Sequence, residues 1–306
     1  STREGVFPVV DFCKFPVEDL EMIMVLLTYL SFNKESVMEL AFFSDEISKE
    51  DFQEAVRLGV EAGATGVELR GGIWGKQVQE IDDDDVKRIQ DILVRYSVQV
   101  VSLGSPVGKC AHDNEEEKCS HLEVFNRMVE LAHAFDTQII RGFAFWNPFR
   151  DQKGGFRPDL KNYLDLIVSF LEPAVQIAGL EGKTFSLENE AATLVGNCSE
   201  AREVENALGN PKGFSYCWDV NNGIDCGECA FPDGYEKIKK KITHLHVKPN
   251  PKMELDPIMG SEIVYEDLLK KMVYDGYTGA ASIEHWGSPE MMLKGVREFR
   301  TVLEKI

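Results

Sequence analysis

The sequence predicts a closed (β/α)8 barrel, and three observations carry that prediction. Short β-prone runs alternate eight times with helical patterns, and strict alternation of this kind builds a parallel sheet. Residues 37–306 are enough for one such barrel, which takes about 250 residues. No glycine-rich dinucleotide fingerprint follows the first run, where the chain reads SDEISKED. An open doubly wound sheet is therefore the weaker alternative.

The β-type runs are Val37–Ile47, Gly66–Arg70, Gln99–Val107, Gln138–Trp146, Lys183–Glu190, Phe214–Val220, Thr243–Lys248 and Gly279–Trp286. Apolar residues at three- and four-residue spacing mark helices between them. The first three are DFQEAVRLGVEAG, DVKRIQDILVRYS and HLEVFNRMVELAHAF. The later ones are Lys161–Leu180, Ser199–Leu208, Gly234–Ile242, Tyr265–Tyr274 and Pro289–Lys305. Ser48 before an acidic turn reads as a helix start. Gly63, Gly179 and Gly182 read as helix exits. The acidic runs Asp82–Asp85 and Glu115–Glu117 read as solvated loop and helix starts. Residues 1–36 stand outside the repeat and read as an N-terminal extension, a cap or an oligomer contact, with residues 37–306 as a single barrel domain.

Composition narrows the partners. Of 306 residues, 43% are apolar and 28% charged, the balance of a globular chain. The net charge of −19 repels phosphate backbones and anionic membranes, and attracts cations. Seven cysteines, an odd number, fit a reducing cytoplasm better than a disulfide framework. The apolar run Met22–Phe32 is shorter than the ~20 residues of a bilayer span, and acidic residues precede it. The expected partner is a small molecule, with a homo-oligomer left open.

Side chains alternate between the two faces of a strand. In the last four runs, large apolar residues such as Phe185, Leu187, Trp218, Leu245 and Ile283 share the outward parity. The inward parity holds Ser186 and Glu188, Cys217 and Asp219, His244, His246 and Lys248, and Ser282 and Glu284. Glu68 and Arg70 follow the same rule against Val67 and Leu69. Ionisable groups facing a barrel axis are costly unless paired or metal-bound. Those at the C-terminal strand ends sit where barrel enzymes keep their active sites.

Glu188, Asp219, His246 and Glu284 are spaced by 31, 27 and 38 residues, each about one βα unit. Three carboxylates and one imidazole suit Mn²⁺, with Mg²⁺, Co²⁺ or Zn²⁺ as alternatives. The competing reading is four unrelated strand ends paired with Lys248 and Arg70. Arg70, Lys109, Arg141 and Lys248 are the cationic candidates for holding substrate, and Trp146, Trp286 and His285 the ring candidates. Cys226 and Cys229 form a CxxC with no second ligand pair, and read as a loop. His112, His121 and His133 read as surface or packing residues.

The segments SLENE, YCWDVNNG, THLHVKPN and ASIEHW resemble the metal-bearing strands of the sugar phosphate isomerase/epimerase superfamily, the xylose isomerase-like TIM barrels. FFSDEIS, GVELRG and SLGSPVGK resemble its first three strands, so the resemblance covers residues 37–300. It implies Glu188, Asp219, His246 and Glu284 as metal ligands, with His244 as a barrel-lining neighbour. It also implies Glu188 and Glu284 as the acid–base pair. Several members place a substrate-contacting His three residues after the metal-binding Asp, where this chain has Asn222; Pro249 stands where Asp is frequent. Endonuclease members use further His and Asp ligands for three metals, and six histidines with a charge of −19 argue against that activity. The implied reaction is proton abstraction beside a carbonyl through an enediolate, giving isomerisation or epimerisation of a sugar or sugar phosphate. The alternatives are an inosose-dehydratase-like lyase on the same site and a non-catalytic sugar-binding barrel.

Overall fold

A computed structural model describes residues 38–152, 156–248, 263–284 and 287–306. Its strands are β1 (Glu39–Phe43), β2 (Gly66–Leu69), β3 (Gln99–Gly104), β4 (Ile139–Gly142), β5 (Thr184–Glu188), β6 (Phe214–Asp219), β7 (Ile242–Val247) and β8 (Ala280–Ile283). They pair in sequence order, all parallel, and β8 closes on β1 with Ala280 opposite Glu39. The predicted barrel is the observed architecture. The predicted extension, residues 1–36, lies outside the described residues, and so do Pro249, His285 and Trp286.

The helices are α1 (Phe52–Glu61), α2 (Asp83–Tyr96), α3 (Glu115–Ala134), α4 (Leu164–Leu180), α5 (Cys198–Ala207), α6 (Val220–Asp225), α7 (Tyr235–Ile238), α8 (Tyr265–Tyr274) and α9 (Pro289–Leu303). Both acidic runs start helices, as expected. Asp82 accepts the Asp84 and Asp85 N–H groups at the head of α2, and Asn114 accepts the Glu117 N–H at the head of α3. Carboxylates there meet the positive end of the helix dipole. No helix among the described residues is long and apolar enough to cross a membrane.

Four local expectations need correction. The cap of α1 is Asp51, which accepts the Glu54 N–H, while Ser48 only supports Asp51. Gly179 lies inside α4, where a Cβ would stand 3.4 Å from the Gly213 backbone; its use is close packing. The helix expected over residues 234–242 is regular only as α7 and ends in a tight turn at Lys239–Lys241. The short α6 was not anticipated, because it is capped by a site residue, Asp219, rather than by a separate loop.

The outward strand faces carry the main core. Phe42 packs against α1 so closely that a Cβ on Gly59 would meet its ring at 2.2 Å. Phe185 packs against Phe125 of α3, ring centroids 5.7 Å apart. The barrel interior has its own small apolar plug, Ala41, Val101 and Ala280. A hydroxyl network of Thr184, Ser186, Ser215 and Thr243 adjoins the strand starts. Ionisable side chains fill the other end.

Two register shifts disturb the alternation. Val67 faces Val100 but Glu68 faces Ser102, so Val101 is an extra residue in β3. Tyr216 faces Ile242 but Cys217 faces His244, so Thr243 is an extra residue in β7. An inserted residue resets which face the following side chains take.

Gly108, in the loop after β3, has φ +88 and lies under the Phe143 backbone, where a Cβ would sit 2.0 Å from the carbonyl oxygen. Gly108→Ala is expected to cost more than the ~1–2 kcal/mol of left-handed strain, since backbone must also move. A melting temperature within 1–2 °C of the parent would contradict this placement.

Candidate metal centre

Glu188 ends β5, Asp219 ends β6, His246 lies near the end of β7, and Glu284 follows β8. The ladder sets Asp219 beside His246, and His246 beside Ser282. One ligand atom from each of the four lies within 4.8 Å of all the others. Their exposures are 2%, 0%, 1% and 4%, so each charge must be met inside the protein.

Each of the four side chains is anchored by one atom and aimed inward by another. Glu188 Oε2 is 3.0 Å from Arg141 Nη1, and its Oε1 is 3.3 Å from His246 Nδ1. Glu284 Oε1 is 2.7 Å from Arg70 Nη1, and its Oε2 is 3.8 Å from His246 Nδ1. Asp219 Oδ1 accepts the Asn222 N–H at 2.8 Å, which leaves Oδ2 for the cluster. His246 places Nε2 3.1 Å from Glu68 Oε2 and turns Nδ1 toward Glu188 and Glu284.

The donor set fits a divalent ion. Asp219 Oδ2 and Glu284 Oε2 are buried oxygens that receive no well-aligned hydrogen bond. The Lys248 ammonium stands 2.7 Å from the first and 3.4 Å from the second. A cation thus already sits beside the cluster's open oxygens. Glu188, Asp219, Glu284 and His246 would hold the ion, and three oxygens with one imidazole nitrogen suit Mn²⁺, Mg²⁺ or Zn²⁺.

The electrostatics agree with this geometry. Burial and the neighbouring Glu188 and Glu284 push the Asp219 carboxyl up to about 6, against the pull of Lys248. Burial raises the Glu188 and Glu284 carboxyls, but nearby cations outweigh it: His246 and Arg141 hold Glu188 below the usual range, and Lys248 and Arg70 do the same for Glu284. Burial disfavours a charged His246, yet the Glu68 and Glu188 carboxylates raise it well above the ordinary imidazole value.

The other sequence-derived residues divide. Arg70, Arg141 and Lys248 converge on the cluster, and each is bound to a carboxylate of this chain. Arg70 is held by Asp45 and Glu46 as well. The four residues thus converge and are also salt-bridged to Arg70, Arg141 and Lys248. Lys109 is tied to Glu190 at 3.3 Å and lies over the Phe143 ring. Trp146 is 5.4 Å from the Lys109 ammonium, and its backbone pairs with Thr193. Asn222 serves Asp219 through its backbone, while its buried side-chain Nδ2 has no hydrogen-bond acceptor.

His244 lines the barrel, 2.8 Å from Glu68. His112 packs on Tyr163, His121 accepts the Gly108 N–H, and His133 pairs with Glu181. Cys226 closes α6, and Cys226 and Cys229 are free thiols in the loop beyond it.

Sequence reasoning missed Asp45, Glu46, Glu68 and Glu190 as site members. Glu68 had the right parity, and Asp45-Glu46 directly follows the first strand. Both were legible as acids at a strand end, but the Glu68 partners, His244 and His246, come from a distant strand, and Asp45 and Glu46 act through Arg70 after the neighbouring β2.

A family model described as xylose isomerase-like TIM barrel matches residues 56–302. No curated protein matches the sequence. Among solved structures, the chain is similar to 3-keto-D-glucoside 4-epimerase from E. coli in its apo form. That match has 15% identity, covers 88% of this chain and 100% of that one, and has a TM-score of 0.71. It is similar to a xylose isomerase-like TIM barrel protein from Mycobacterium smegmatis in complex with magnesium, with 15% identity, 88% and 96% covered, and a TM-score of 0.67. It is also similar to a probable 3-DHS dehydratase from Bacillus anthracis, with 17% identity, 86% and 99% covered, and a TM-score of 0.65.

Proposed function

The chain belongs to the xylose isomerase-like TIM barrel family, and on that premise we propose that it is a divalent-metal-dependent isomerase or epimerase of a sugar or sugar phosphate. The observation that carries this reading is the division of labour in the cluster. Arg141, Arg70, the Asn222 N–H and Glu68 each fix one atom of Glu188, Glu284, Asp219 and His246, turning the other atom of each toward a common centre, where the Lys248 ammonium now meets Asp219 Oδ2. An arrangement pre-set in this way loses little on binding an ion.

A divalent ion held by Glu188, Asp219, His246 and Glu284 would supply the positive charge that makes a C–H beside a sugar carbonyl more acidic. Glu188 and Glu284 are the acid–base pair. Their carboxyls lie below the usual range, so both are ionised near neutrality, the charge state a base needs before it takes a proton. Epimerisation uses both carboxylates, one removing the proton and the other returning it from the opposite face. Isomerisation uses one. Arg70 and Arg141 keep the carboxylates oriented throughout. Lys248, Lys109, Asn222 and Trp146 are the residues we assign to substrate contact. Mn²⁺ is the expected ion, and the free thiols support a reducing compartment such as the cytoplasm.

Incubating the metal-loaded protein with a panel of ketoses and ketose phosphates in D₂O tests the reading. Deuterium is expected at the carbon beside the carbonyl, detected by proton NMR. Loss of water without return of substrate would replace the isomerase reading by the lyase. Saturable binding with neither event would leave only a sugar-binding barrel.

A further inference from the structure

We propose that Glu68 is a positioning residue that selects which imidazole nitrogen of His246 faces the ion; this rests on the metal reading above. Glu68 is fully buried on β2 and belongs to none of the four ligand-bearing strands. Its Oε2 lies 2.8 Å from His244 Nε2 and 3.1 Å from His246 Nε2.

A neutral imidazole carries one N–H, and the hydrogen bond made by one nitrogen decides the role of the other. A carboxylate beside Nε2 keeps the proton there, so the lone pair is on Nδ1. That nitrogen is the one turned to Glu188 Oε1 at 3.3 Å and Glu284 Oε2 at 3.8 Å. Cys217 Sγ also approaches Nε2, at 3.4 Å. A buried thiol is a weak acceptor beside a carboxylate, so Glu68 sets the tautomer.

Glu68 is itself closely enclosed. Arg141 Nε stands 4.0 Å from its Oε1. Gly104 leaves the needed space, since a Cβ there would lie 2.7 Å from Arg141 Nη2 and 3.3 Å from Glu68 Oε1. The Phe43 ring packs edge-on against His246 at 5.2 Å and restricts its rotation. Carboxylate–imidazole–metal relays of this geometry typically contribute 10–100-fold to metal affinity.

The test uses the full chain with zinc alone as probe. In the ¹⁵N-histidine spectrum of the zinc-loaded parent, His246 is expected to carry a proton on Nε2 and the metal on Nδ1. Metal on Nε2 overturns the proposal, and a parent that takes up no zinc overturns both it and the metal reading. In Glu68→Gln the amide can donate to Nε2, so zinc affinity is expected to fall 10–100-fold with loss of the Nε2–H signal. Glu68→Asp keeps an acceptor and is expected to retain that signal. A purely structural Glu68 would lower the melting temperature but leave the tautomer unchanged. Zinc affinity within twofold of the parent in folded Glu68→Gln, with the Nε2–H signal intact, overturns the proposal.

Discussion

Replacing Glu284 by Gln is expected to lower turnover by a factor of about 10²–10⁴, the usual contribution of a positioned acid or base. The same change is expected to weaken metal retention, because one of three carboxylate charges leaves a fully buried cluster. The fold should survive. Arg70 loses the charge of its 2.7 Å partner Glu284 but keeps Asp45 at 2.9 Å and Glu46 at 3.1 Å. Folding and chemistry are therefore separable in this variant. Cys226→Ser, in the loop beyond α6, is the matched control and should change neither rate nor metal content. Metal analysis beside steady-state kinetics makes the comparison. A Glu284→Gln enzyme within threefold of the parent rate would remove Glu284 from the proposed acid–base pair.

Metal affinity is expected to rise steeply with pH. A ligating imidazole must be neutral and a ligating carboxyl ionised, so binding competes with protons. In the metal-free site burial works against a charged His246, but the Glu68 and Glu188 carboxylates raise it well above the ordinary value, so it carries a proton near neutrality. The Asp219 carboxyl is pushed up to about 6 by burial, with Glu188 and Glu284 adding to the effect. The direction follows for both groups. Raised values mean that protons are held as pH falls, so each opposes the ion below its own value. Below pH 6 two protons leave per ion, and affinity should change by about a hundredfold per pH unit; above 6, by about tenfold while His246 stays charged. Equilibrium dialysis between pH 5 and 8 measures the slope, and calorimetry in buffers of different ionisation enthalpy counts the protons. A flat affinity across this range, or full metal content well below pH 5, would exclude His246 as a ligand.

The four clustered residues were legible before any coordinates because the signal is local. Glu188, Asp219 and His246 share the inward parity of their strands, and Glu284 continues it past β8. Each is about one βα unit from the next. The register shifts were not legible. Strict alternation would send Thr243 outward with Leu245 and Val247. The extra residue in β7 instead lets its hydroxyl bond Ser186 and Ser215. Nothing in the sequence THLHVKP distinguishes a bulge from a regular strand. Lys109 is a second example: as a loop lysine it reads as solvated or substrate-bound, yet it is tied to Glu190, 81 residues away.

By itself, then, the sequence determined the number of βα units, favoured the closed parallel sheet and marked the ionisable side chains that point along the axis. Those properties follow from periods of two and 3.6 residues, which any short window of chain displays. Only the tertiary structure decided which atom of each ligand is tied back and which is left for the centre. That choice depends on partners such as Glu68 with His246 and Arg70 with Glu284, separated by 178 and 214 residues. Contacts between strands that far apart exist only once the barrel has closed.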